Sequence, residues 1–244
     1  MKLVIDLGNT FQKMAVFSDT ELLMLYAPEQ LHTTLLQEVF ERYAISSCLL
    51  SSVIHHDEAI EDFLNARCKL FVLNRQTPLP IKNKYQTPET LGKDRLASAV
   101  AAHELFPNTH VLVIDAGTCV KYDYINAAGE YFGGAISPGL QMRFSALHTF
   151  TDKLPLIDLI EYNTLIGTNT STSILSGVIN GTIAEIDGII DLYRANYAPL
   201  HIILSGGDAD YLVSKLKNKI FAVSNIVLTG LKVILDYNDN NETH

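Results

Sequence analysis

Carboxylates that could do chemistry stand at two matching places in the chain. Asp6 follows Val4-Ile5 and opens the run Asp6-Leu7-Gly8-Asn9-Thr10. Asp115 follows Val113-Ile114 and opens Asp115-Ala116-Gly117-Thr118. Val, Ile, Asp and Gly match at one constant offset, close to half the chain length. Each copy reads as a buried strand running into a tight turn. Turn N–H groups, with the Asn9 and Thr10 side chains, suit phosphate oxygens. Asp6 repels phosphate itself but suits Mg²⁺, which takes one or two carboxylates and keeps several waters. In the second copy the Thr118 hydroxyl suits a phosphate or a metal-bound water. One Asp-x-Gly alone is equally an ordinary turn with the Asp bonded to its own backbone. The repetition favours a shared task, on twin supersecondary units.

A third carboxylate lies in Gly92-Lys93-Asp94-Arg95, at the start of a helix after a proline-containing loop. A helix N-terminus favours the ionised form of Asp94. Beside a substrate hydroxyl, such a group acts as general base or orients the hydroxyl. Arg95 suits a bidentate grip on a carboxylate. The same residues also read as plain capping, with Arg95 on a wet face. Gly133-Gly134-Ala135-Ile136-Ser137-Pro138-Gly139 reads as a backbone loop close to a ligand or to the other lobe, or as a hairpin turn. Ser205-Gly206-Gly207-Asp208 passes under a nucleotide base, or turns a strand into a helix with an Asp cap. Asp123 reads as a solvated strand residue, His55 and His56 as surface residues, and Cys119 as a small buried hydrophobe. No Walker-type loop and no nucleophile-elbow motif occurs.

These residues need a scaffold, and the patterning supplies one. Alternating segments after each turn (Phe11, Lys13, Ala15, Phe17; then Val120, Tyr122, Tyr124) predict hairpins. Helical spacing is found over 29–43, 58–66, 90–106, 142–147, 172–197, 211–218 and 224–236. Short apolar strands are expected at 47–54, 70–73 and 201–204, a loop at 77–88, and a frayed tail at 237–244. Strands followed by helices in both halves indicate α/β lobes, residues 1–110 and 111–244. Two similar lobes facing each other imply a cleft.

Composition narrows the classes further. The chain has 244 residues, 48% of them hydrophobic and 18% charged, enough for a sizeable core. Its formal net charge of −9 lacks the basic footprint of a nucleic-acid binder. The odd count of three cysteines, none at metal-ligand spacing, argues for a reducing cytoplasm. The N-terminus is too short in apolar residues for a signal peptide, and no apolar run is long enough to span a bilayer.

Taken in order, the motifs resemble type III pantothenate kinases, within the superfamily of actin, sugar kinases and heat-shock chaperone ATPases. The resemblance rests on Asp6-Leu-Gly-Asn-Thr10 with Lys13, Tyr85 seven residues before Gly92-Lys-Asp-Arg95, and Asp115-Ala-Gly-Thr118. It continues through Gly133–Gly139, Thr151–Pro155 and Thr170, Ser173, Ile174 and Gly177, covering residues 4 to about 208. It implies two ribonuclease-H-like lobes (duplicated βββαβα units) and transfer of the ATP γ-phosphoryl to pantothenate, the first step toward coenzyme A. By this resemblance Asp94 is the catalytic base. Tyr85, Gly92, Lys93, Asp94, Arg95 and Thr170 hold pantothenate. Asp6, Leu7, Gly8, Asn9, Thr10, Phe11, Gln12, Lys13 and Thr118 contact ATP. Asp115 ligates a monovalent cation, K⁺ or NH₄⁺, and the protein is a homodimer in which Thr170 reaches the site. Cys119 and Ser205 depart from the family's commoner residues. A different small-molecule kinase, or a non-catalytic nucleotide-binding regulator, fits the same scaffold.

Overall fold

A computed structural model describes residues 1–8, 11–19 and 21–241. Asn9 and Thr10, expected at the phosphate turn, lie outside the described residues. The chain divides into two compact units, one of Met1–Leu105 with the segment from Ile226 onward, the other of Phe106–Asn225.

The first unit opens with β1 (Lys2–Leu7), β2 (Gln12–Ser18) and β3 (Glu21–Tyr26). It continues with α1 (Thr33–Arg42), β4 (Ser47–Ser52), α2 (Glu58–Asn65), β5 (Lys69–Val72), β6 (Lys82–Asn83) and α3 (Lys93–Leu105). Its main sheet has the order β3-β2-β1-β4-β5. The first two pairings, β1–β2 and β2–β3, are antiparallel; β1–β4 and β4–β5 are parallel. Leu3, Val4 and Ile5 are wholly buried in the central strand. Burial on both faces is why that strand is a continuous apolar run rather than an alternating one. Leu3, Ile5 and Leu7 share a core with Leu36 and Val39 of α1 and Ile60 and Leu64 of α2.

The second unit repeats the plan with β7 (His110–Ala116), β8 (Cys119–Ile125), β9 (Glu130–Pro138), α4 (Leu140–Thr149), α5 (Thr170–Asn196), β10 (Leu200–Ser205), α6 (Ala209–Val213) and β11 (Phe221–Ala222). Its strands run in the order β9-β8-β7-β10-β11, again antiparallel then parallel. The duplicated α/β units are therefore as expected. By length and composition, α5 is apolar enough to cross a membrane, contrary to the expectation that no run is. Ile174, Leu175, Val178, Ile179, Ile186 and Ile190 of α5 lie in the core with Leu112 and Ile114 of β7, which accounts for its apolar character.

Several local expectations are corrected. The last helix, α7 (Ile226–Asn241), belongs to the first unit, not to a lobe spanning 111–244. It packs along α3, where a Cβ on Gly230 would lie 1.8 Å from the Ala97 carbonyl. Buried Ala97, Ala99, Ala101 and Ala102 make that close approach feasible. Nor is 237–241 a frayed tail. Asn238 is buried and donates to the Pro78 carbonyl (2.9 Å). Asp239 accepts from Ser47 Oγ (3.0 Å) and pairs with Lys2 (3.2 Å) and Lys69 (3.3 Å). Gly133–Pro138 is not a loop but most of β9. Its glycines suggested a turn, yet Gly134 is required because a Cβ there would fall 1.9 Å from the Tyr122 carbonyl of β8. The helix expected at 211–218 is short, ending at Val213.

Candidate active site

The first turn sits on the β1–β2 hairpin, whose register places Asp6 directly opposite Lys13 and Leu7 opposite Gln12. Gly8 N–H donates to the Phe11 carbonyl (3.1 Å), closing the turn. Two groups from β4 join it. Buried Ser51 donates its hydroxyl to Asp6 Oδ1 (3.2 Å), and parallel pairing sets Ser51 beside Asp6. The Ser52 carbonyl accepts from Lys93 Nζ (2.9 Å). Burial lowers the pKa of the Lys93 ammonium, and the negative charge of Asp6 partly offsets this. Lys93, expected on the acceptor side, thus reaches the end of β4 beside Asp6. Ser52 is in turn held by His56: Nδ1 lies 3.1 Å from Ser52 Oγ, and Nε2 lies 2.9 Å from Glu61. His56 is therefore part of this support and not a surface residue. Ser51, Ser52 and His56 were missed because nothing in sequence spacing reveals a parallel neighbour.

At the N-terminus of α3 the four residues of the Gly92 motif are separated by role. The Asp94 carboxylate folds back over Gly92, where a Cβ would stand 2.4 Å from Asp94 Oδ1. Glycine at 92 is thus the condition for this carboxylate position. Arg95 is buried, not on a wet face, and its guanidinium carbon lies 5.8 Å from the centre of the Tyr85 ring. That is cation–π range. The structure so brings Tyr85 and Arg95 together. Buried Arg95 leads into an alanine-rich helix, so its position is set by core packing, not by solvent.

The second turn is built like the first but is one residue tighter. Gly117 N–H donates to the Cys119 carbonyl (3.0 Å), where Gly8 reached three residues on to Phe11. Across β7–β8, Asp115 faces Lys121, and Lys121 Nζ lies 2.7 Å from Asp115 Oδ2. The constant offset of the sequence echo aligned Lys13 with Tyr122 and so concealed Lys121. Thr118 is exposed at the turn, and its carbonyl accepts from Gly139 N–H (3.1 Å). A Cβ on Gly139 would lie 1.9 Å from the Gly117 carbonyl, so the glycine-rich strand end packs onto this turn. Ser205–Asp208 does the same from the other side. Gly206 has φ +98°, and a Cβ there would meet the Ala116 carbonyl at 2.1 Å and Asp115 Oδ1 at 2.6 Å. Asp208 N–H donates to the Ala116 carbonyl (3.0 Å), while burial raises the pKa of its carboxyl. Its side chain does not cap α6.

Behind this turn lies a polar cluster that no motif announced. Glu185 of α5 accepts from Ser137 Oγ (2.5 Å) and Tyr122 OH (3.0 Å) and pairs with Arg143 of α4 (2.5 Å). Burial alone would raise the Glu185 pKa; the donors outweigh it and hold the carboxyl below its ordinary value. Asp123 is buried, not solvated, and accepts from Tyr131 OH (2.7 Å). Thr170 is exposed in the first turn of α5, where Asn169 and Thr172 form the capping box. Cys119 is half-buried with a free thiol.

Comparison with known proteins fits this arrangement. Residues 2–192 match the family model described as type III pantothenate kinase. A type III pantothenate kinase from Christiangramia forsetii is 46% identical, over 98% of this chain and 99% of that protein. Among solved structures, a protein from Campylobacter jejuni described as a Baf family transcriptional activator aligns with a TM-score of 0.58 and 19% identity, covering 98% of this chain and 99% of the other. A glucokinase from an Antarctic psychrotroph aligns with a TM-score of 0.51 and 11% identity, covering 97% and 98%. The last two show the fold alone, the two-lobed one of sugar kinases. With the match to named relatives running nearly end to end, the chain belongs to the type III pantothenate kinase family.

Proposed function

We infer that this chain transfers the γ-phosphoryl of ATP to the terminal hydroxyl of pantothenate, giving 4′-phosphopantothenate and ADP at the entry to coenzyme A biosynthesis. The observation that carries this is the near-full-length identity to named type III pantothenate kinases. The intact Asp6, Asp94, Arg95 and Asp115 support catalysis over a purely regulatory role.

In this reading residues 6–13 and Thr118 contact ATP, and Gly92–Arg95, Tyr85 and Thr170 hold pantothenate. Arg95 is the partner for the pantothenate carboxylate. Asp94 takes the hydroxyl proton while the hydroxyl oxygen bonds to the γ-phosphorus and the bond to the ADP oxygen breaks. Because the transition state is loose, the proton becomes acidic late, and a carboxylate suffices as base. The seat of Asp94 over Gly92 supports this role by fixing the position of the carboxylate in the first turn of α3. A half-buried carboxylate on a hairpin turn fits Mg²⁺, so Asp6 would hold the metal through one oxygen or through water. Bound there, Mg²⁺ supplies neutralising charge to the phosphates. Lys13 and Lys93 add positive charge on the same side, and a cation at Asp115 completes the set.

The protein acts as a homodimer in the cytoplasm. Phe150, Leu165 and Ile166, exposed by 85, 76 and 74%, support the dimer. Three free cysteines support a reducing compartment. Sedimentation at micromolar concentration tests the dimer, and a monomer would refute it. For the reaction, ADP release is followed over a panel of alcohol acceptors at millimolar ATP. Pantothenate alone should drive turnover; preference for a sugar would instead favour another small-molecule kinase.

A further inference from the structure

We propose that the Lys121 ammonium, tethered on β8, is the cation at Asp115, so that this chain works without a free monovalent ion. This rests on the kinase reading above. The family resemblance implies K⁺ or NH₄⁺ on Asp115, and the residues present do not fit a free ion there. Lys121 Nζ already stands 2.7 Å from Asp115 Oδ2. Both side chains are largely covered, 21% and 17% exposed, so the pair is less screened than a surface one. The other oxygen, Oδ1, lies under Gly206, within 2.6 Å of where a Cβ would be. A second monovalent cation on this carboxylate would be repelled by the ammonium in a site of reduced dielectric.

Chemistry and register agree on the substitution. A lysine head group is an alkylammonium, a close analogue of NH₄⁺, and its tether removes the need for a bulk concentration. It is held by direct cross-strand pairing of Asp115 with Lys121. The first unit uses the same pairing, with Lys13 opposite Asp6. The second turn is one residue shorter, yet its lysine still falls opposite its aspartate. Each turn thus carries its own lysine.

The test measures pantothenate-dependent ADP release in buffers whose only small cations are Mg²⁺ and tetramethylammonium, with KCl or NH₄Cl added back. The unmodified enzyme, Lys121→Met and Lys121→Arg are compared, and binding of a non-hydrolysable ATP analogue is followed by calorimetry in the same buffers. The unmodified enzyme should change less than twofold when K⁺ is added. Lys121→Met should lose at least tenfold in activity and analogue affinity without K⁺ and regain most of both with K⁺ or NH₄⁺. Lys121→Arg should keep cation-free activity. A merely structural lysine would give a loss that no ion rescues, and that result overturns the proposal. So does tenfold or greater stimulation of the unmodified enzyme by K⁺, which decides the matter even if Lys121→Met fails to fold. If no cation condition gives any pantothenate-dependent turnover while the analogue still binds, the kinase reading has failed first.

Discussion

The two hairpin turns share a plan and differ in what holds their aspartates. In the first unit the Asp6 carboxylate is met by Ser51 from β4, and the Lys93 ammonium of α3 is within its field. In the second, Asp115 is met by Lys121 from its own hairpin and covered by Gly206. Asp6 therefore keeps company with groups brought from elsewhere in its unit, including Lys93 of the Gly92 motif. Asp115 is satisfied locally. A carboxylate tied to α3 suits the changing charge of phosphoryl transfer; one with its own ammonium suits a fixed anchor. The duplication supplied one geometry, and the neighbours from β4, α3 and the Gly206 turn gave the two aspartates different surroundings.

The largest break in this comparison should come from the first unit, where Asp94 is the proposed base. Asp94→Asn should lower kcat by about 10²–10⁴ with little change in ATP affinity, measured by steady-state ADP release. Gly92→Ala should act on the same carboxylate indirectly, because the new methyl would stand where Asp94 Oδ1 now rests. A fall in kcat of about tenfold, with an unchanged melting temperature, would show that the effect is on positioning. Lys13→Met should raise the KM for ATP by roughly ten- to a hundredfold, as expected for loss of one charge-assisted contact.

Two smaller effects concern stability. Gly206→Ala should destabilise by about 1–3 kcal/mol, since the methyl meets both the Ala116 carbonyl and Asp115 at a positive φ. Chemical denaturation would measure it, and the loss should be specific to position 206: Gly207→Ala, with open space around its Cβ, should be milder. At Asp239, burial would raise the pKa, but Ser47, Lys2 and Lys69 outweigh it and hold it below the ordinary value. A depressed carboxyl stabilises the fold above its unfolded pKa, ~3.9, and that contribution fades as pH falls through the folded value. The side chain is 23% exposed, so the effect should stay under about 1 kcal/mol after screening. Asp239→Asn should flatten the melting temperature between pH 5 and about 3.

Much of this was legible from sequence where chemistry and local structure coincide. An apolar run that ends in Asp-x-Gly announces a buried strand and a turn, and it did so twice. The Gly-x-Asp-Arg motif announced a helix start, because an acidic residue belongs there. What stayed hidden was set by neighbours distant in sequence. Ser51 becomes a partner of Asp6 only through parallel pairing. Lys121 was concealed by a single missing residue in the second turn, since a fixed offset follows the chain while strand register follows hydrogen bonds. The glycines of 133–139 suggested a loop, although Gly134 lies in a strand that must pass within contact of β8. The polar residues after Tyr237 suggested fraying, but Lys2, Lys69 and Ser47 were waiting for Asp239.

The most direct measurement is mass spectrometry of the product formed from pantothenate and γ-labelled ATP, by the unmodified chain and by Asp94→Asn. The account predicts labelled 4′-phosphopantothenate in step with ADP release, reduced at least a hundredfold by the substitution. Pantothenate recovered unlabelled while ATP still binds, or equal labelling by both proteins, would contradict it.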